Sequence, residues 1–147
     1  FEYAYHLRRA GQTAQSLPYL KKAMRADPKY EEPFFFYGDQ LLQDERYREA
    51  IPYLKQALAD RPDYVPAAAA LAKALMALDR YPDAIEELGR ALALQPKHPL
   101  PHLLLSQIYF RMGNEKRARE ENAFVTRVLG QPKVWILGSE HDLPVAA

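Results

Sequence analysis

The chain has 147 residues, the length of one ordinary domain, with 20 Lys plus Arg against 19 Asp plus Glu and a formal charge of +1. That near balance supplies no excess basic field to hold a phosphate backbone, which argues against nucleic acid as a partner. Zero cysteines exclude disulfides, thiolate metal sites and a cysteine nucleophile, and fit a reducing or an oxidising compartment equally well.

The first segment, residues 1–30, opens with "FEYAYHLRRAGQ", which lacks the basic-then-apolar layout of a signal peptide; it starts at Phe1 rather than Met, leaving room for an upstream segment. No apolar run anywhere approaches the roughly 20 residues of a membrane span, so no membrane insertion is expected. "LPYLKKAMRADP" at residues 17–28 returns as "IPYLKQALADRP" at 51–62 and, more loosely, as "IEELGRALALQP" at 85–96. Pro28, Pro62 and Pro96 are 34 residues apart each time. Leu20, Leu54 and Leu88 keep the same interval, as do Ala23, Ala57 and Ala91, then Ala50, Ala84 and Ala118, and Tyr47 with Tyr81.

Each unit reads as a helix, a short turn and a second helix. Residues 31–64 carry Phe34, Tyr37, Gly38, Leu41, Ala50, Leu54, Ala57 and Pro62; residues 65–98 carry Leu71, Leu75 and Leu78 among alanines, then Ile85, Leu88, Ala91 and Leu92 at helical spacing. Small residues at Gly38, Ala72 and Ser106 in the first helices are expected to face Ala50, Ala84 and Ala118 in the second. Proline disfavours helical geometry in the residue before it, so Pro28, Pro62 and Pro96 end the second helices. Pro18 and Pro52 fall about five residues inside those helices, where an interior proline costs about 3 kcal/mol, and predict a kink or a late start. The last unit, residues 99–130, keeps Leu105, Ser106, Tyr109 and Ala118 but puts Asn122 where a bulky apolar residue is expected and Gly130 in place of the closing proline. Gly130 and Pro132 read as a helix stop, which leaves residues 131–147 as a tail outside the period.

This 34-residue period with these residue types resembles the tetratricopeptide repeat over about residues 1–130. The resemblance implies an all-α fold, a right-handed superhelical solenoid of antiparallel helix pairs with repeats at about 1–30, 31–64, 65–98 and 99–130. One pair cannot bury its apolar face alone, so successive pairs stack. In such proteins the first helix of each pair lines a concave groove that takes peptides or helices of partner proteins. Carried onto this chain, the groove would consist of Tyr5, Arg8 and Arg9, then Phe35, Asp39, Leu42 and Gln43, then Ala69, Lys73, Met76 and Ala77, and finally Leu103, Gln107, Phe110 and Arg111. The lysine-and-asparagine clamp with which some members hold acidic C-termini is absent, since its slots hold Phe35, Asp39, Ala69, Lys73, Leu103 and Gln107. An apolar stripe of Phe35, Leu42, Met76, Leu103 and Phe110, flanked by Arg8, Arg9, Lys73 and Arg111, suits a segment with apolar anchors and some acidic side chains.

No glycine-rich phosphate loop, His-Glu-x-x-His or Gly-x-Ser-x-Gly occurs in the sequence, so neither an enzyme nor a cofactor is expected. His98 and His102, within "HPLPH", have metal-like spacing but no carboxylate beside them in the sequence, and read as an inter-repeat turn. "EKRAREE" at residues 115–121 reads as a solvated helix face. The leading function is a protein-interaction module. The alternatives are a regulatory or substrate-recruiting domain of a larger enzyme, and a self-assembly scaffold forming homo-oligomers through the tail. Val134, Trp135, Ile136 and Leu137 are expected to cap the solenoid, to fill its own or a neighbour's groove, or to meet another domain.

Overall fold

Leucine and alanine at helical spacing, broken at regular intervals by two kinds of turn, produce eight helices in the computed structural model, which describes residues 1–129. They are α1 (Glu2–Arg9), α2 (Thr13–Ala26), α3 (Glu31–Gln43), α4 (Tyr47–Asp60), α5 (Val65–Ala77), α6 (Tyr81–Leu94), α7 (Pro99–Arg111) and α8 (Glu115–Leu129). No strand occurs among the described residues, and none of their helices is long and apolar enough to cross a membrane.

The turn inside each pair is a repeated hydrogen-bonded stop. Gly11, Glu45, Asp79 and Gly113 have φ of 78°, 60°, 58° and 80°, and they fall one period apart. At the second of them the Glu45 N–H donates to the Leu42 carbonyl at 3.1 Å and the Arg46 N–H to the Leu41 carbonyl at 2.8 Å. This is the Schellman arrangement, which satisfies orphan carbonyls at the helix end and requires a left-handed residue. Glycine adopts that conformation freely, whereas an ordinary L-residue is strained there by about 1–2 kcal/mol. Glu45→Gly is therefore expected to stabilise by up to about 1 kcal/mol, and Asp79→Gly by less because aspartate tolerates the region better. Gly11→Ala and Gly113→Ala should each lose about 1–2 kcal/mol, although a Cβ at either position meets nothing within 4 Å. Urea midpoints identical to wild type across the four variants would contradict this account.

The turn between pairs uses proline. The Tyr30, Tyr64 and His98 N–H groups donate to the carbonyls of Asp27, Arg61 and Gln95 at 3.2, 3.1 and 3.2 Å. Pro28, Pro62 and Pro96 occupy the second position of each turn, where their fixed φ is already correct.

Each helix packs on the next in sequence; α3 also packs on α5, and α5 on α7. The second helices α4 and α6 make no such contact among the described residues, and the opening between them, about 590 Å³, is lined in part by Leu58, Pro62, Ala91 and Leu94. Neighbouring pairs thus meet chiefly where each second helix packs on the first helix that follows it, with α5 also touching α3 and α7 while α4 and α6 splay apart, as expected of a stacked helical-repeat solenoid. Leu20, Leu54, Leu88, Ser16, Ala50, Ala84 and Ala118 have no exposed surface, and Ala4, Gly38, Ala72 and Ser106 are buried opposite them. A Cβ on Gly38 would lie 2.7 Å from Leu54 Cγ, while Ser106 Oγ donates to the Ala118 carbonyl at 3.0 Å. Small against small is what lets the paired backbones approach.

The late helix start expected from Pro18 and Pro52 does not occur: α2 and α4 run through both prolines. Each proline is at least partly exposed, and the carbonyls left without a helical donor belong to Ala14 and Arg48, exposed residues in the first turn, where water can replace the lost bond. Residues 130–147 lie outside the described residues, and with them the expected contacts of Val134, Trp135, Ile136 and Leu137.

Candidate partner-binding face

The residues assigned to the groove recur one period apart along α1, α3, α5 and α7, and the structure divides them into three groups. Tyr5, Arg9, Lys73, Ala77 and Arg111 are exposed. Phe35, Asp39, Leu42, Leu103, Gln107 and Phe110 are half-buried, and Phe35, Leu42 and Phe110 pack against the core; Gln43, at the end of α3, is exposed. Met76 is only 4% exposed and Ala69 is equally enclosed. The apolar stripe is therefore interrupted at α5, because Met76 and Ala69 sit on the helix that α3 and α7 flank on either side. Met76 is core and offers no surface to a partner.

Arg8 also departs from its expected role as a flanking charge. Its side chain is 11% exposed and 3.4 Å from Asp39 Oδ2. It donates to Gln40 Oε1 at 3.2 Å, and the guanidinium lies 5.1 Å from the Phe36 ring centre. Burial holds its pKa below the ordinary arginine value, and Asp39 pulls the other way. Arg8 is a clamp between α1 and α3. Asp39 is further occupied by Gln43 Nε2 at 2.9 Å. Arg9, Lys73 and Arg111 are the exposed cations of this face, and Arg9 rests 5.9 Å from the Tyr5 ring centre.

His98 and His102 do not act together. His98 caps α7 by accepting the Leu100 N–H on Nδ1 at 3.2 Å. His102 has a carboxylate that the linear sequence hid: Glu121, from α8, meets Nδ1, and Nε2 faces the Pro96 carbonyl at 3.1 Å. The pair pins α8 to the turn before α7. Among the described residues, no cluster of three or more His, Cys, Asp or Glu side chains is placed to hold a metal ion. The solvated reading of residues 115–121 holds for all but Ala118, which is buried, and Glu121, which is half-buried.

A second concentration of side chains escaped the sequence reading. Phe1, Tyr5 and Phe36 touch one another with ring centres 5.8–6.4 Å apart, Tyr30 meets Phe1 edge-on at 5.3 Å, and Phe35 bridges Phe36 and Tyr64 at 5.2 Å each. The signal was present in the run "EEPFFFYG" and in the period joining Tyr30, Tyr64 and His98, but only stacking brings the starts of α1, α3 and α5 together.

Residues 1–65 and 41–92 match family models described as tetratricopeptide repeat, and residues 72–113 match one described as TPR repeat. Together they cover residues 1–113 without a gap. No curated protein matches the sequence. Among solved structures, MamA is similar at 24% identity and a TM-score of 0.77, over 85% of this chain and 73% of that one. A thermophilic tetratricopeptide repeat protein of Thermus thermophilus is similar at 18% identity and 0.77, over 92% and 76%. One from Parabacteroides merdae reaches 18% and 0.78, over 90% and 53%. At these identities the likeness is one of fold.

Proposed function

The chain belongs to the tetratricopeptide repeat family, and on that premise we propose that it is a non-enzymatic protein-interaction module whose first helices hold a peptide or helix of a partner protein. The observation that carries this reading is the exposed ladder of Tyr5, Arg9, Gln43, Lys73, Ala77 and Arg111 above half-buried Phe35, Leu42, Leu103 and Phe110. Exposed polar side chains over partly covered apolar ones offer apolar anchoring with charge selection at its edges. Arg9, Lys73 and Arg111 favour acidic side chains on the segment that lies across them.

Arg9→Glu combined with Arg111→Glu reverses two of these charges at exposed positions, where substitutions usually change stability by less than about 0.5 kcal/mol. Proteins captured from the native source by the wild-type chain are expected to be lost by this variant at unchanged melting temperature. An unchanged set of captured proteins would overturn the reading.

A further inference from the structure

At the edge of that face, where α1 and α3 begin and Tyr64 caps α5, a cavity of about 310 Å³ is lined by Phe1, Glu2, Tyr5, Glu32, Phe36 and Tyr64. Four of the six are aromatic and the other two are carboxylates. From this we propose a site for a cationic side chain, a lysine, methylated lysine or arginine of the bound segment; the inference rests on the interaction-module reading and deepens it.

Aromatic faces carry negative charge and attract ammonium and guanidinium groups within about 6 Å, and desolvation in a cleft strengthens the attraction. Carboxylates at the same cleft supply the full countercharge. Glu2 and Glu32 take part in none of the ion pairs among the described residues, whereas neighbouring Glu31 is held by Arg61 at 3.3 Å. Glu32 accepts a hydrogen bond from the Tyr30 hydroxyl at 3.2 Å, which holds the carboxylate beside the rings. Its field reaches the cleft wall: burial first, and then Glu32, raise the pKa of both the Tyr30 and the Tyr64 phenols above the ordinary tyrosine value. Cations of the chain already face three of the four rings: Arg61 lies 4.9 Å from the Tyr64 ring centre, Arg8 5.1 Å from that of Phe36 and Arg9 5.9 Å from that of Tyr5. Arg61 is engaged by Glu31 and, at 3.5 Å, by Asp63, and Arg8 by Asp39, so none of them is paired with Glu2 or Glu32. The chemistry is opposite to that of Arg9, Lys73 and Arg111, so the segment would place a basic residue in the cleft itself and acidic ones across those three cations, the first of which stands beside the cleft at Tyr5.

The test uses the whole chain and a small probe, so that it does not depend on the rest of the face. N-acetyl-trimethyllysine methylamide is titrated against its uncharged tert-butyl isostere, with amide and aromatic NMR shifts as the readout. The cation should bind about tenfold more tightly than the isostere, shifting signals of Phe36 and Tyr64. Glu32→Gln should remove most of that preference while leaving isostere binding and the fold unchanged. Equal affinities for the two probes would overturn the proposal and leave Glu2 and Glu32 as partners of the helix N-termini alone; so would the absence of any shift. Loss of captured proteins in the Arg9→Glu, Arg111→Glu variant with no cation preference would sink this site and spare the module reading. The converse result would spare the site and sink the face.

Discussion

Leu54→Ala should destabilise the chain by about 2–5 kcal/mol, the range for emptying a fully buried leucine site. Leu54 has no exposed surface and sits where α4 presses on α3. Its effect should also be coupled to Gly38. In the wild type a Cβ at Gly38 would fall 2.7 Å from Leu54 Cγ and 2.8 Å from Cδ2, contacts that force the leucine to shift, so Gly38→Ala alone trades helix propensity against overpacking. Once residue 54 is alanine that obstacle is gone. Gly38→Ala should then recover about 1 kcal/mol, because alanine is the better helix former and its methyl group fills part of the vacated space. A double-mutant cycle in urea measures the coupling, and additive effects would show that the Gly38–Leu54 contact is not what sets the approach of α3 and α4.

Asn122→Leu is expected to do the reverse and stabilise the last pair by about 1–3 kcal/mol, the cost ordinarily attached to an unsatisfied buried polar group. Leu20, Leu54, Leu88 and Asn122 occupy the same slot in successive repeats. Asn122 is 8% exposed, and its Oδ1 is buried without a hydrogen-bond partner. Leucine removes the orphaned acceptor and adds apolar burial in the slot that three other repeats already fill with leucine. In a stacked array stability is a sum of repeat and interface contributions, so the gain should be local. Hydrogen exchange should slow in α7 and α8 while α3 and α4 stay as they were. Leu88→Asn, placing the same amide in a slot closed by repeats on both sides, should cost more than Asn122→Leu gains. A neutral or destabilising Asn122→Leu would mean that the oxygen is satisfied in solution.

The period, the helix content and the positions of the turns were legible in the sequence because each depends on neighbours a few residues away. Pro28, Pro62 and Pro96 recur at the turns that close α2, α4 and α6, and leucine with alanine at helical spacing forms α5 and α6 by local preference and a matched apolar face. The small slots at Gly38, Ala72 and Ser106 were readable for the same reason: backbone approach leaves a trace in residue size. The four left-handed turn residues were also there to be read, since Gly11 and Gly113 stand three periods apart, but Glu45 and Asp79 between them hide the rule.

What lies exposed on the first helices was decided by stacking alone. Met76 and Arg111 were assigned to one surface by position along the repeat, yet one is core and the other open, because α5 has a first helix on each side and Arg111 ends the last of them. Arg8 is a clamp rather than a free charge because α3 brings Asp39, Gln40 and Phe36 to it. His102 finds Glu121 across a helix pair, and the rings at the starts of α1, α3 and α5 become one cleft only when three repeats are superposed. Periodicity specifies which residue occupies each slot; what touches that slot depends on the next repeat, whose side chains differ, and only the packed structure contains that information.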